Sequence, residues 1–221
     1  MKHLPSSEGS SLEDPAAQDA RSTPTPASER LRRQITRGRA ALALLGVALL
    51  IAALRDSRAF VPGALVSLLG EVIQLWASSH VYRKDRRLTT SGPYARVRNP
   101  MYIGRCFVIL GFFVMMGNLW LCLLYIVVFA AYAHVRVLRE EKFLEATFGQ
   151  PYREYCSQVR PWLPGLIPWS GAERRASSWA QVCINHENFN LYMLLALLLV
   201  IRLRMHFLPG VNLLSLFSGH H

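Results

Sequence analysis

The stretch SGPYARVRNPMYIG, Ser91 to Gly104, opens on turn-forming residues and closes at the mouth of an apolar run. Between its ends sit two arginines, an asparagine, two prolines and two tyrosines. A plain membrane anchor needs no such cluster where water meets lipid. The residues that follow are apolar from about Met101 to Met116, and a second apolar run covers Leu119 to Ala133. Gly117-Asn118 between them supplies a tight turn, because both residue types tolerate the backbone it requires. The two runs predict an antiparallel helical hairpin whose outer ends emerge on the same side of a bilayer.

Two further runs precede the hairpin. Ala59 to Ala77 reads as a span and carries Ser67, Glu71, Gln74 and Ser78 at steps of four, three and four, which place all four on one face. Two readings of that face stand side by side: a helix-packing stripe, or the lining of a wet cavity with Glu71 as an intramembrane ionisable group. Ala40 to Leu54 is shorter, about 22 Å as a helix. Snorkelling by Arg39 and Arg55 extends it to a span. After the hairpin, Leu191 to Ile201 is a short apolar run followed by Arg202, Arg204 and His206. It reads either as a fifth span or as a helix lying in the interface.

Composition agrees. The 221 residues are 52% hydrophobic and only 18% charged, with a mean hydropathy of +0.20, a balance that suits a small polytopic membrane protein rather than a soluble domain. The formal charge of +11 comes from basic residues clustered beside apolar runs, as at Arg30, Arg32, Arg33, Arg37 and Arg39. That pattern suits anionic lipid head groups and topology signals, and no nucleic-acid partner is expected. Cys106, Cys122, Cys156 and Cys183 form no C-x-x-C pair, and the seven histidines show no ligand spacing. Neither a disulfide frame nor a metal site is expected.

The expected class is therefore all-α: a polytopic membrane helical bundle of four core spans, including the hairpin, with the C-terminal apolar helix beyond them. Residues 1–29, rich in Ser, Pro, Ala and acidic groups, read as a disordered tail. Residues 30–164 read as the membrane core and 165–221 as a C-terminal extension. Arginines are abundant before the first span, after the second and after the fourth. The positive-inside rule then puts the N-terminus and both outer ends of the hairpin in the cytoplasm.

Two polar blocks converge at the base of the hairpin. The first is Gly92-Pro93-Tyr94 with Arg98-Asn99-Pro100-x-Tyr102. Pro100 suits a first helical turn, where its missing N–H costs little, and Asn99 before it is pushed towards extended backbone. Unpaired N–H groups, the helix dipole and Arg98 would together favour an anion there. The second block is Arg136, Glu140, Glu141, then Phe148-Gly149-x-x-Tyr152-x-x-Tyr155. Arg136 and Glu140 are spaced to pair along one helix. Phe148-Gly149 reads as a helix C-terminus. Alone, this block is an ordinary amphipathic helix. Opposite the first, its arginines, carboxylates and tyrosines complement a ligand with an acid, an amine, hydroxyls, an aromatic ring and a cationic centre.

The pattern GPYARVRNPMYIG, an apolar hairpin, then EEKFLEATFGQPYREYCSQVRPWLP resembles the isoprenylcysteine carboxyl methyltransferase family, which is itself similar to the phospholipid N-methyltransferases. The shared region runs from roughly Val61 to Pro164. The resemblance implies a multi-span membrane enzyme that uses S-adenosylmethionine at a cytosolic pocket. By the family pattern Tyr94, Arg98, Asn99, Tyr102 and Glu141 border the cofactor, and Arg136 and Glu141 stand at the reacting end. The family commonly has histidine at the position of Asn99, which hydrogen-bonds but cannot become cationic. Related sequences often have a basic residue at Gln74. The implied acceptor is lipid-like or prenylated and carries a carboxylate or an amine; the partners are that small substrate and membrane lipids. Two other classes compete: an NADPH-dependent membrane oxidoreductase like the sterol reductases, and a non-enzymatic membrane protein or transporter built around Glu71. Composition and motif leave open the acceptor, the oligomeric state, and the choice between plasma membrane and endoplasmic reticulum.

Overall fold

The computed structural model describes residues 57–82 and 87–207; the expected first span, Ala40 to Leu54, and the expected N-terminal tail lie outside the described residues. All regular structure among the described residues is helical, with no strand. In chain order the α-helices are α1 (Ser57–Ser78), α2 (Pro100–Met115), α3 (Leu119–Phe148), α4 (Gln150–Gln158), α5 (Trp179–Ile184) and α6 (Glu187–Phe207). The turn of 3-10 helix Gly92–Ala95 precedes α2.

The expected hairpin is α2 and α3. Gly117 has φ +67°, and Asn118 caps α3 by accepting from the backbone N–H groups of Trp120 and Leu121 at 3.0 and 3.2 Å. Helix α3 does not end with its apolar run. It continues unbroken to Phe148, carrying the second polar block beyond the apolar run as one helix. Gly149, at φ +60°, then donates its N–H to Glu145 O at 2.8 Å and lets the chain turn into α4.

Helix α1 shows why this is a membrane bundle. Val61, Leu65, Leu69, Val72 and Trp76 recur every three or four residues and are all exposed, while Ser67, Glu71, Gln74 and Ser78 on the other face are buried. Apolar outside and small or polar inside inverts the soluble pattern and fits a lipid surround. α1, α3 and α6 are long and apolar enough to cross a membrane, and the shorter α2 is also apolar. The protein is an integral membrane protein.

The packing stripe is the reading of α1 that the structure favours. The Ser67 hydroxyl donates to Val108 O on α2 at 2.9 Å. The C-terminal apolar run is longer than its eleven apolar residues imply: α6 has 21 residues, about 31 Å of helix. Its buried Leu194, Leu198 and Ile201 pack with Met115 of α2 and with Phe60, Ala64 and Leu68 of α1. Its polar first turn is stabilised by Asn190 Nδ2 donating to Glu187 Oε2 at 2.6 Å, a local bond that no apolar count registers.

Candidate functional site: two cavities at the base of the hairpin

The two blocks meet. Arg98, just before α2, places Nη2 3.2 Å from Glu141 Oε1 on α3, and both side chains are largely shielded. Asn99 is the residue before the helix, and its Nδ2 donates to Pro161 O at 3.1 Å. Asparagine thus supplies a donor to the backbone without needing a charge. Tyr94 and Tyr155 are tied by Tyr155 Oη donating to Tyr94 O at 2.8 Å.

A cavity of about 700 Å³ opens here, lined by Tyr94, Arg98, Asn99, Phe148, Tyr152 and Tyr155 among others. Burial holds the Tyr94 and Tyr155 phenols well above their usual range, and the charges of Glu187 and Glu140 push Tyr94 further. Both therefore stay neutral, as aromatic faces and hydrogen-bond donors. Arg98 Nε is buried with no hydrogen-bond partner among the described residues. A buried cationic N–H left free is costly, and its partner would be an acceptor from outside the described chain.

Tyr102 and Arg136 lie on the other side of the ion pair. Tyr102 Oη donates to Glu140 Oε1 at 2.6 Å, and Arg136 sits 3.8 Å from the same carboxylate. Arg136 and Glu141 are five residues apart, about 140° round the helix, so they do not converge: Glu141 meets Arg98, and Arg136 lies on the Tyr102 side. That side opens on an apolar cleft of about 490 Å³ between α2 and α3, lined by Tyr102, Phe107, Ile126, Phe129, Ala130 and Trp162 among others.

Residues 160–169 close the site as a strap, a part that motif reading assigned no role. Arg98 N donates to Arg160 O at 2.9 Å, Gly165 N to Arg96 O at 2.8 Å and Trp169 N to Ala95 O at 2.8 Å. Trp162 packs edge-on to Tyr102, and Trp169 lies against Tyr155. The available signal was two tryptophans in a proline-rich run directly after Tyr155. Beyond it, Asn185 Nδ2 donates to Ser78 O and Val81 O, both at 3.0 Å, docking the segment before α6 onto the end of α1.

The fold and site define a class: a helical integral membrane protein with an aromatic cavity bordered by Arg98 and an apolar cleft bordered by Tyr102. Part of the chain is similar to known proteins. Residues 61–151 match the family model described as phospholipid methyltransferase. A protein-S-isoprenylcysteine O-methyltransferase of Schizosaccharomyces pombe is 38% identical over 85 residues, covering 38% of this chain and 36% of that protein. The cobalt-zinc-cadmium resistance protein CzcN of Cupriavidus metallidurans is 30% identical over 118 residues, 53% of this chain and 52% of that protein. A probable protein-S-isoprenylcysteine O-methyltransferase of Oryza sativa subsp. indica is 31% identical over 113 residues, 46% of this chain and 59% of that one. The matched region spans between about a third and three-fifths of the length of these curated relatives. No solved structure matches. The two blocks therefore fall within or directly beside a region similar to the phospholipid methyltransferase model and to proteins named as protein-S-isoprenylcysteine O-methyltransferases.

Proposed function

We propose that this protein is an S-adenosylmethionine-dependent methyltransferase of membranes, acting on a lipid-like or prenylated acceptor that presents a carboxylate or an amine. The observation that carries the reading is the Arg98–Glu141 pair at 3.2 Å, with Arg98 bordering an aromatic cavity and Tyr102, four residues on, bordering an apolar cleft. The prenylated alternative rests on the relatives named as protein-S-isoprenylcysteine O-methyltransferases.

The residues fit the cofactor. The cavity has the size of ordinary cofactor sites. The free Nε of Arg98 suits a carboxylate, Glu141 suits an ammonium or a hydroxyl, and the neutral tyrosine faces of Tyr94, Tyr152 and Tyr155 attract a cationic centre. Asn99 borders the same cavity from the start of α2, while Tyr102 borders the apolar cleft where the acceptor would lie. S-adenosylmethionine, when bound, supplies an already activated methyl group, so the protein's part is alignment and exclusion of water. Arg136 orients an acidic acceptor head at the top of the apolar cleft. An acidic acceptor needs no general base; an amine must lose a proton, and a glutamate at this junction takes it. The acceptor arrives from the bilayer between α2 and α3 and the cofactor from water. The arginine-rich segments favour placing this end of the hairpin in the cytoplasm.

Purified protein in detergent is titrated with S-adenosylhomocysteine and, separately, with NADPH. Binding of the first and not the second is expected, as is a loss of at least roughly tenfold in affinity for Arg98→Ala and for Glu141→Ala, one lost charged contact each. Unchanged affinity in both variants rules out this site, and selective NADPH binding turns the reading to a reductase. Incubation with labelled methyl donor, then lipid extraction and mass analysis, identifies the acceptor.

A further inference from the structure

Leu163, Leu166 and Ile167 on the strap are 66%, 93% and 85% exposed. Every other large apolar side chain exposed among the described residues sits on a helix. These three do not belong to a loose loop. Pro161, Pro164 and Pro168 restrict the backbone around them. The strap's backbone is bonded to residues 95, 96 and 98 and to the Asn99 side chain, and Arg96 Nη1 donates to Leu166 O at 2.8 Å. Trp162 and Trp169 hold its inner side against Tyr102 and Tyr155. An ordered segment that presents three aliphatic side chains outward is suited to an apolar medium, because water disfavours that surface.

Depth decides which medium. Helix α2 has 16 residues, about 24 Å of rise, against a hydrocarbon core of about 30 Å. With the polar turn Gly117-Asn118 at one boundary, the start of α2 falls several ångströms inside the other. The strap is bonded to the residues directly before that start, so it sits at the edge of the acyl chains. Its flanks match an interfacial segment: Arg96 and exposed Arg160 for anionic head groups, with Trp162 and Trp169 beside the aliphatic cluster.

We propose that residues 161–168 form a lipid-inserted lip, with Leu163, Leu166 and Ile167 seated at the boundary of head groups and acyl chains. The lip pins the rim of the apolar cleft, which Trp162 lines, to the bilayer surface, so an amphiphile sliding along the leaflet meets that cleft at the right depth. This rests on the membrane fold alone and holds whatever reaction the cavities serve.

The test uses the full chain in nanodiscs of phosphatidylcholine and phosphatidylglycerol. A genetically encoded dansyl amino acid replaces Leu166, or Ile167 in a second variant, with exposed Glu154 on α4 as the aqueous control. The expected result is blue-shifted emission at 166 and 167 relative to 154. Lipids bearing a nitroxide high on the acyl chain should quench those two at least twofold more than 154, and iodide should quench them less. Equal emission and equal iodide quenching at all three positions overturn the proposal. So does a blue shift without quenching by the nitroxide lipid, which would mean that another part of this chain or a second copy covers the lip.

Discussion

Helix α2 has two neighbours and meets them in opposite ways. Against α1 it is nearly in backbone contact: a Cβ added at Gly70 would lie 2.5 Å from both Gly104 O and Val108 N. Gly63 and Gly111 repeat the close approach further along, with the Ser67 hydroxyl bonded into the same seam. Against α3 the seam is built of rings. Phe113 stacks across it on Tyr125 at 4.8 Å, Tyr125 in turn tilts on Phe129 of its own helix at 5.6 Å, and the two helices line the apolar cleft between them. Small residues let helices in lipid gain dispersion contact and close the seam; bulky rings prop them apart. The pair adjacent in sequence is thus the looser one, and the pair separated by the polar loop is the rigid one. A bundle built this way has a scaffold on one side of α2 and an opening to lipid on the other.

The largest effect is expected where the tight seam is forced open. Gly70→Leu drives a side chain into α2 backbone that cannot yield, and overpacking of this kind costs about 3 kcal/mol or more. Thermal unfolding in detergent should show a large drop in midpoint together with loss of monodisperse protein. A variant that remains stable would mean the two helices are free to separate. The loose seam should respond differently. Ala130→Trp fills the apolar cleft from α3 without touching the α1–α2 contact, so the fold should survive. S-adenosylhomocysteine binding should be unchanged while the acceptor's KM rises about tenfold, the equivalent of about 1.4 kcal/mol. If both affinities fell together, the two cavities would not be separate sites.

The junction between the cavities gives a smaller effect. Neighbouring carboxylates divide there: Glu140 accepts from Tyr102 while Glu141 pairs with Arg98. Tyr102→Phe removes one charge-assisted bond to an exposed carboxylate, and the exposure limits the expected loss of stability to about 1 kcal/mol. The readout that matters is its direction: acceptor turnover should fall more than cofactor-analogue affinity. An equal fall in both would place Tyr102 within the cofactor's own contacts.

These contrasts also show what sequence could and could not convey. The hairpin was legible because apolar periodicity and a Gly-Asn turn are local signals. The meeting of Arg98 with Glu141 followed from the hairpin, since its two outer ends must lie together. The divergence of Arg136 from Glu141 was carried by their five-residue spacing, which puts them on different faces. The strap was not legible, because it pairs one irregular segment with another and neither has a period. Nor was the full length of α6, whose first turn relies on the bond between Glu187 and Asn190 rather than on apolar content. The tight α1–α2 seam was half legible: the polar stripe was plain, but the stripe alone did not say which helix it would meet.

The smallest predicted effect tests the hinge that joins the rigid seam to the polar loop. His80, just beyond α1, is buried with Nδ1 3.1 Å from Ser91 Oγ, and Arg87, Glu173 and Arg175 line the same depression. Burial lowers its pKa, so the folded protein keeps the ring neutral where the unfolded chain would already protonate it. Below about pH 6.5 the unfolded state then binds the extra proton. Stability from this group is complete above that pH and is lost as pH falls towards the folded pKa, by at most about 1.4 kcal/mol per pH unit. The check is the difference between the wild-type protein and His80→Gln in unfolding midpoint from pH 7.5 to 5.5, since other titrating groups act equally on both. The wild-type midpoint should fall faster on acidification. Parallel curves would mean that His80 titrates as freely folded as unfolded, and that the end of α1 is open to water rather than sealed against the loop.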